Sequence, residues 1–139
     1  MRRSLLLFSL LVLLGTARPL ESQEVRRHGS LWARVESDGG IRVGGSLEGR
    51  VESDGRVRQR GSLVGRVEPD GSIRCGGSLC GRVEGDGTLR RHGSLIGRLE
   101  GDGTIRRHGS LWGRIEGGAR DAQVRHRVAA LLFFFSGEF

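Results

Sequence analysis

The chain of 139 residues has no lysine, asparagine or tyrosine, and it has only two cysteines, two prolines and two tryptophans. Its cysteines, Cys75 and Cys80, form no CxxC pair, so the ligand spacing of a zinc site is absent. All 23 basic residues other than histidine are arginines, set against 16 acidic residues. Such complete use of arginine is typical of GC-rich coding DNA, so the arginine content alone is weak evidence for phosphate binding.

Residues 1–17 have the pattern of a secretory signal peptide. Two arginines come first, a run of ten mainly apolar residues extends from Leu5 to Leu14, and small residues precede Arg18. Ten residues are too few to span a bilayer as an ordinary helix. An uncleaved anchor is the alternative, and it would be the only membrane contact that we expect. We therefore predict a secreted or periplasmic protein with a polar lead-in at residues 18–24.

A sixteen-residue repeat organises the chain from Gly29 to Glu116. The triplet Gly-Ser-Leu begins at Gly29, Gly45, Gly61, Gly77, Gly93 and Gly109. Strict alternation of apolar and polar residues follows each triplet, which is typical of a half-buried strand. On such a strand Leu31 and Val35 share the core face with the small residue between them. The residues that this pattern places on the outer face of the first unit are Ser30, Trp32, Arg34 and Glu36.

Each unit contains two turns that end in glycine. Five Asp-Gly pairs occur, at Asp38, Asp54, Asp70, Asp86 and Asp102. Pairing Val67 with Ile73 leaves a three-residue loop, 69–71, with glycine where a positive φ is needed. Pairing Ile73 with Leu79 leaves a second three-residue loop, 75–77. The sequence therefore predicts an antiparallel meander of very short strands.

Matching half-units flank the five Asp-Gly hairpins. Residues 25–28, Val-Arg-Arg-His, match the end of a repeat, as in residues 105–108, and the sixth unit breaks down at Gly117 and Gly118. Such phasing is expected where the first and last halves pair and close a ring, because closure removes exposed strand edges. The predicted array covers residues 25–118.

The C-terminal region differs from the repeats. A polar linker is predicted at residues 119–127, and residues 128–139 open with eight apolar residues that include three of the five phenylalanines. Eight residues are too few to cross a membrane, and in water such a segment would promote aggregation. The repeats supply about three apolar side chains per unit, which makes a thin core. We therefore predict that residues 128–139 are buried as a plug at the centre of the ring.

Two stretches resemble a known family. They are residues 81–90, Gly-Arg-Val-Glu-Gly-Asp-Gly-Thr-Leu-Arg, and residues 129–135, Ala-Ala-Leu-Leu-Phe-Phe-Phe. With five hairpins and a leader, they are similar to the small bacterial five-fold β-flower proteins over nearly all of the mature chain. The resemblance implies an all-β closed ring of about five antiparallel hairpins around the apolar segment, and it implies no activity. The Gly-Gly-Ser and His-Gly-Ser turns depart from the Asp/Asn-rich loops of that family.

A β-solenoid is the alternative architecture. Triplets such as Gly97-Arg98-Leu99 also resemble those of polymer-forming bacterial solenoids. Solenoid repeats stack rather than close and they need caps, and the phenylalanine segment would then serve only as a cap.

Most polar positions recur in every unit, which favours structural roles. Aspartate at a turn typically hydrogen-bonds its own backbone, whereas calcium-binding β-rolls need a nine-residue repeat. His28, His92 and His108 share one turn position, where solvated turn residues are expected and metal binding is the alternative. Rows of arginine and glutamate on the outer face form weak cross-strand pairs. The alternative for these rows is a basic surface for anionic polymers.

Two pairs of rarer residues are candidates for special roles. Trp32 and Trp112 occupy the same slot in the first and last units, so we expect them to pack together where the ring closes, with sugar stacking as the alternative. The candidate surface-binding residues are Trp32, Trp112, Arg34 and Arg114. Cys75 and Cys80 could form a disulfide in an oxidising compartment. The predicted register separates them widely for such a bond, so the pairing stays open.

No residue is singled out for catalysis, because the serines recur in every unit and a catalytic site needs different groups in one asymmetric place. We expect no metal and no cofactor. The sequence favours a non-catalytic, envelope-associated binding module whose partner is an anionic polymer or a glycan. Export disfavours nucleic acid. The alternatives are a self-assembling structural protein and a hydrolase, the latter without a supporting motif.

Overall fold

Short strands fill the repeat region, and one helix follows them. The computed structural model describes residues 21–139, so the predicted signal peptide and the first residues of the lead-in lie outside the described residues. The strands are β1 (Gln23–Arg27), β2 (Ser30–Val35), β3 (Gly40–Val43), β4 (Ser46–Val51), β5 (Arg56–Gln59), β6 (Ser62–Val67), β7 (Ser72–Cys75), β8 (Ser78–Val83), β9 (Thr88–Arg91), β10 (Ser94–Leu99), β11 (Thr104–Arg107) and β12 (Ser110–Ile115). The helix, α1, covers Ala122–Phe135.

The twelve strands form a closed antiparallel barrel. Each strand pairs with its neighbours in the chain, and β1 also pairs with β12, placing Val25 opposite Ile115. We call this β1–β12 pair the seam. The predicted closure is confirmed, and the stacked β-solenoid alternative is wrong. Closure pairs both sides of every described strand, so that none is left as an edge that could recruit another chain.

The Asp-Gly turns have the predicted register. Val67 pairs with Ile73, and Gly71 has a φ of 91°. The side chain of Asp70 accepts a hydrogen bond of 2.9 Å from the amide two residues later. A Cβ on Gly71 would also collide with the carbonyl oxygen of Val83 in the next hairpin. Glycine is therefore required here both by the turn and by the neighbouring strand.

The Gly-Ser-Leu turns are two residues long, not three as predicted. In the β7–β8 hairpin, Cys75 pairs with Ser78, and the two turn residues Gly76 and Gly77 have φ angles of 59° and 92°. Two successive positive φ angles identify a type I′ turn, whose twist matches that of the flanking strands.

A β-bulge follows each of these turns and exchanges the two faces of the strand. In β8, Leu79 lies opposite Arg74 and Gly81 lies opposite Ile73, so Cys80 is the inserted residue. The leucine of the triplet therefore points outward, and the residue after it points inward. The leucines, which are 53–65% exposed, are Leu31, Leu47, Leu63, Leu79, Leu95 and Leu111. Their predicted place in the core is wrong, because one inserted residue reverses a period-two pattern.

Helix α1 is buried among the inward-facing side chains of the barrel. Asp121 caps its first turn by accepting a 2.7 Å hydrogen bond from the amide of Gln123. Every residue from Val128 to Leu132 is fully buried, and α1 contacts strands as distant in the order as β2, β6 and β8. A helix that is apolar on all sides is one that is buried on all sides. The helix includes most of the segment predicted as a linker, and within residues 21–139 no helix is long and apolar enough to cross a membrane.

The phenylalanines lie against the glycine that follows each bulge. A Cβ on Gly81 would lie 2.6 Å from the ring of Phe133, and a Cβ on Gly97 would lie 3.0 Å from the ring of Phe139. The other glycine–phenylalanine contacts of this kind are Gly49 with Phe135 and Gly65 with Phe134. Four consecutive hairpins thus each leave room for one ring.

Candidate anion-binding site

The barrel brings together three copies of one motif that are far apart in the chain. The motif Arg-Arg-His-Gly-Ser-Leu occurs at residues 26–31, 90–95 and 106–111. These copies form the β1–β2, β9–β10 and β11–β12 hairpins, which are consecutive around the barrel because the seam joins β1 to β12. We call their second arginines and their histidines the basic sector: Arg27, Arg91, Arg107, His28, His92 and His108. The other three hairpins carry Val43-Gly44, Gln59-Arg60 and Cys75-Gly76 at these positions.

The two kinds of side chain in the basic sector point in different directions. The histidines occupy the first turn position, with φ angles of 48–50°, and are exposed at the rim. The arginines are half-buried on the inner side of the rim. The guanidinium carbon of Arg91 lies 5.6 Å from the centre of the Phe133 ring, and that of Arg27 lies 5.4 Å from the Trp112 ring. Such cation–π contacts hold the guanidinium groups in place.

One carboxylate lies within the basic sector. Glu138 Oε1 is 2.8 Å from Arg27 Nη2, and its Oε2 accepts a 2.5 Å hydrogen bond from the indole Nε1–H of Trp112. Arg107 donates to the main-chain oxygen of Glu138 at 2.6 Å, and Arg91 donates to that of Phe139 at 2.9 Å. Within residues 21–139, Glu138 is thus the one acidic side chain that forms an ion pair with any of these three arginines, and the main-chain oxygens of Glu138 and Phe139 accept from the other two. The sector keeps an excess of positive charge and is able to bind an anion.

The two tryptophans pack at the seam rather than project from the surface. Their ring centres are 5.3 Å apart and perpendicular, and Trp112 makes the same kind of contact with Phe139. Trp112 is 4% exposed, and Trp32 is half-buried. The bulge has turned both rings inward, so the predicted outward orientation is wrong. The buried face of Trp112 leaves no surface on which a sugar could stack.

Arg34 and Arg114, the other candidate surface-binding residues, lie on the outer wall of the barrel. Both are exposed, and Arg34 forms an ion pair of 2.5 Å with Glu24. The outer wall also carries a repeated ion pair, such as Arg106 with Glu100 at 2.7 Å. The seam supplies the same pair from opposite ends of the chain, Arg26 with Glu116 at 2.9 Å. Several outer arginines, Arg34 among them, are therefore charge-paired, and Arg34 and Arg114 lie on the opposite face of the wall from the tryptophans.

Cys75 and Cys80 are joined by a disulfide, with Cα atoms 5.7 Å apart. The bulge makes this possible, because it turns Cys80 to the inner face beside the last residue of β7. In the β1–β2 hairpin the same two slots hold Arg27 and Trp32. The disulfide thus replaces a basic–aromatic pair on the part of the rim outside the basic sector.

The turn aspartates act within their own turns. Hydrogen bonds from backbone amides, first among several causes, lower the pKa values of Asp38, Asp70, Asp86 and Asp102. For Asp70 the main donor is the amide of Ser72. Among residues 21–139, no cluster of three or more His, Cys, Asp or Glu side chains is arranged to hold a metal ion.

A cavity of about 680 Å³ lies at the opposite end of the barrel, between α1 and the tips of the first three Asp-Gly hairpins. Its polar lining residues are Ser37, Asp38, Glu52, Ser53, Asp54, Gln123, His126 and Arg127. Burial is the main cause that lowers the pKa of His126, with the charge of Arg125 adding to it. Arg127 donates a 3.0 Å hydrogen bond to the main-chain oxygen of Ser37. This cavity is not predictable from the sequence, because residues 119–127 show no pattern that places them inside a barrel.

The sequence does contain a signal for the basic sector, which is the identical hexapeptide in three of the six units. Comparison with known proteins adds nothing to it: no family model, no curated protein and no solved structure matches this chain.

Proposed function

We propose that the protein is a non-catalytic binding module of the cell envelope, exported by its leader, which binds an anionic polymer through the basic sector. The observation that carries this proposal is that three identical Arg-Arg-His hairpins lie side by side. We also propose that the barrel is the ring of about five hairpin petals that the β-flower resemblance implies, since five Asp-Gly hairpins build its wall.

The chemistry of the sector suits a polymer with regularly spaced negative groups. Arginine binds carboxylate, phosphate and sulfate groups through two parallel N–H donors. Neighbouring hairpins present equivalent arginines at a regular interval around the rim, so successive groups of one chain can each find a partner. Once one group is bound, the others bind at a high effective concentration. The outer arginines lack this advantage, because glutamates lie between them.

The experiment is a titration with a polyuronate, a polyphosphate and a neutral dextran at several salt concentrations. The variant Arg27→Gln/Arg91→Gln/Arg107→Gln removes three charges from the sector. The control, Arg34→Gln/Arg66→Gln/Arg98→Gln, removes the same charge from the outer wall. We expect the sector variant to weaken polyanion binding by at least about tenfold and to reduce the slope of log K against log salt by about two to three.

The control variant should change the affinity by less than about threefold. Equal losses in both variants would show that binding follows net charge alone and would refute the sector as the site. No binding of either polyanion to the wild type would refute the proposed function.

Self-assembly is the second candidate, and the outward leucines favour it. Six leucines that are 53–65% exposed surround the outer wall, one in each hairpin. Exposed apolar groups mark a contact surface when they lie together in one patch. Light scattering over a range of concentrations tests this candidate, since a monomer at high concentration would argue against it. We propose no hydrolytic role.

A further inference from the structure

We infer that Glu138 is an internal ligand of the basic sector: its carboxylate occupies the place of a carboxylate group of the polymer, and the polymer displaces it. This inference rests on the proposed function and deepens it in two respects. It names polycarboxylates as the ligand class, and it makes binding compete with a segment of the chain itself.

The choice of a carboxylate follows from the donors around Glu138. Each of its two oxygens has a separate donor, since Arg27 Nη2 is 2.8 Å from Oε1 and Trp112 Nε1 is 2.5 Å from Oε2. Trp112 is 4% exposed, so its indole N–H needs an acceptor at this position. Two donors, one for each oxygen of a planar group, match a carboxylate better than a tetrahedral anion.

The Glu138 side chain can be displaced while Phe139, which is 8% exposed, stays packed in the core. Helix α1 ends at Phe135, and Gly137, with a φ of 73°, has no neighbouring atom within 4 Å of the position of a Cβ. The side chains of Arg27 and Glu138 are 34% and 32% exposed, and ion pairs exposed to water stabilise a protein only weakly. A polymer can replace both contacts of the Glu138 carboxylate, and its further groups can bind the N–H donors of Arg91 and Arg107 that do not bond the main-chain oxygens of Phe139 and Glu138, so it has more to gain than the internal group.

The test compares two variants that each remove one carboxylate from the same rim. Glu138→Gln removes the negative charge of the internal ligand. Glu48→Gln is the matched control, because Glu48 pairs with Arg60 at 3.1 Å in the β4–β5 region, outside the basic sector. Both variants raise the net charge by one. We expect Glu138→Gln to bind polygalacturonate on the order of threefold to tenfold more tightly than Glu48→Gln, because no internal competitor remains.

A second measurement is made on the wild type, and a variant serves only to assign the signal. The chain has two tryptophans, so the indole N–H resonance of Trp112 can be assigned by comparison with Trp32→Phe. We expect polygalacturonate to shift that resonance in the wild type as one carboxylate replaces another. An unmoved resonance on binding, or equal affinities of the two variants, would overturn the inference while leaving the proposed function intact.

Two further outcomes complete the test. Tighter binding of polyphosphate than of polygalacturonate to Glu138→Gln would overturn the ligand class. No polyanion binding by the wild type or by Glu138→Gln would instead refute the proposed function itself.

Discussion

Single glycines decide how closely the helix and the barrel wall approach. At Gly81 the position of a Cβ lies 2.6 Å from the ring of Phe133 and 2.6 Å from the carbonyl oxygen of Arg90. Neither atom belongs to a flexible side-chain end, so the neighbours have little room to move. Glycine at this position therefore reflects packing, not a turn.

We predict that Gly81→Ala lowers the free energy of unfolding by about 1–3 kcal/mol, the usual cost of overpacking a core. Gly85→Ala is the matched control, because Gly85 is exposed, has no atom within 4 Å of a Cβ, and corresponds to Ser37, Ser53 and Pro69 in other units. Its effect should stay within about 0.5 kcal/mol. Urea unfolding measures both. Equal effects would show that the glycine–phenylalanine contact contributes nothing.

His126 should make stability depend on pH. Burial lowers its pKa in the folded protein below the ordinary histidine value of 6.5, with Arg125 acting in the same direction and Asp70 opposing. At and below about pH 6.5 the unfolded chain therefore binds a proton at His126 more readily than the folded one. The contribution of neutral His126 to the free energy of unfolding is fully present above that pH, and it is lost as the pH drops through the folded pKa.

We predict that the wild type loses up to about 1 kcal/mol more stability than His126→Gln between pH 7.5 and pH 5, the loss being small because the ring is only half-buried. Urea unfolding at several pH values gives the difference. The comparison is not affected by the turn aspartates above about pH 4. Their pKa values are lowered in the folded protein, so their protonation destabilises the fold only below that pH. A parallel pH profile for both proteins would contradict the prediction.

At the scale of elements, the structure depends on one helix inside a wall of short strands. Each strand has only four to six residues, and isolated hairpins of that length are marginal in water. Helix α1 gives the inward side chains a common surface, since Val128 to Leu132 are fully buried. We therefore regard the helix as part of the core and not as an appendage.

We predict that deletion of residues 131–139 unfolds the barrel or causes it to aggregate, because Leu131, Leu132 and the phenylalanines leave the core. Circular dichroism and thermal melting check the result. Asp121→Ala serves as a milder change to the same helix, and loss of its cap should cost about 1 kcal/mol without loss of the fold. An unchanged melting temperature for the truncated chain would show that the barrel is stable without its contents.

At the scale of the whole molecule, closure makes the first and last strands equivalent to the others. At the seam His28 donates its amide to the carbonyl of Trp112 at 3.1 Å. Within the array the equivalent bond joins His92 to Cys80 at 3.0 Å. The repeat thus continues across the chain ends with nearly unchanged geometry.

We predict that the protection of the His28 amide from hydrogen exchange lies within about tenfold of that of the His92 amide. Both amides become accessible only when the barrel opens. Hydrogen exchange measured by NMR distinguishes this from an open array. In an open array β1 and β12 would be edges, and the His28 amide would exchange faster by several orders of magnitude.

The sequence by itself determined the features that depend on neighbouring residues. Turn chemistry set the Asp-Gly register at Val67 and Ile73, and the half-units at residues 25–28 and 109–116 were enough to predict closure. Both follow from backbone conformation and from the count of repeats, which are local properties. Burial of the apolar residues 128–135 was predictable on the same grounds, from hydrophobicity alone.

Only the tertiary structure decided which way the side chains point and which of them lie close together. The bulge after each Gly-Ser-Leu turn sent Leu31 outward and Trp32 inward, since one inserted residue reverses a strand's faces and leaves no mark in a period-two pattern. The seam placed Arg27 beside Arg91 and Arg107, although some sixty residues separate the first two in the chain. The basic sector, its Glu138 carboxylate and the His126 cavity all depend on contacts between distant segments, and such contacts follow from how the barrel closes around its helix.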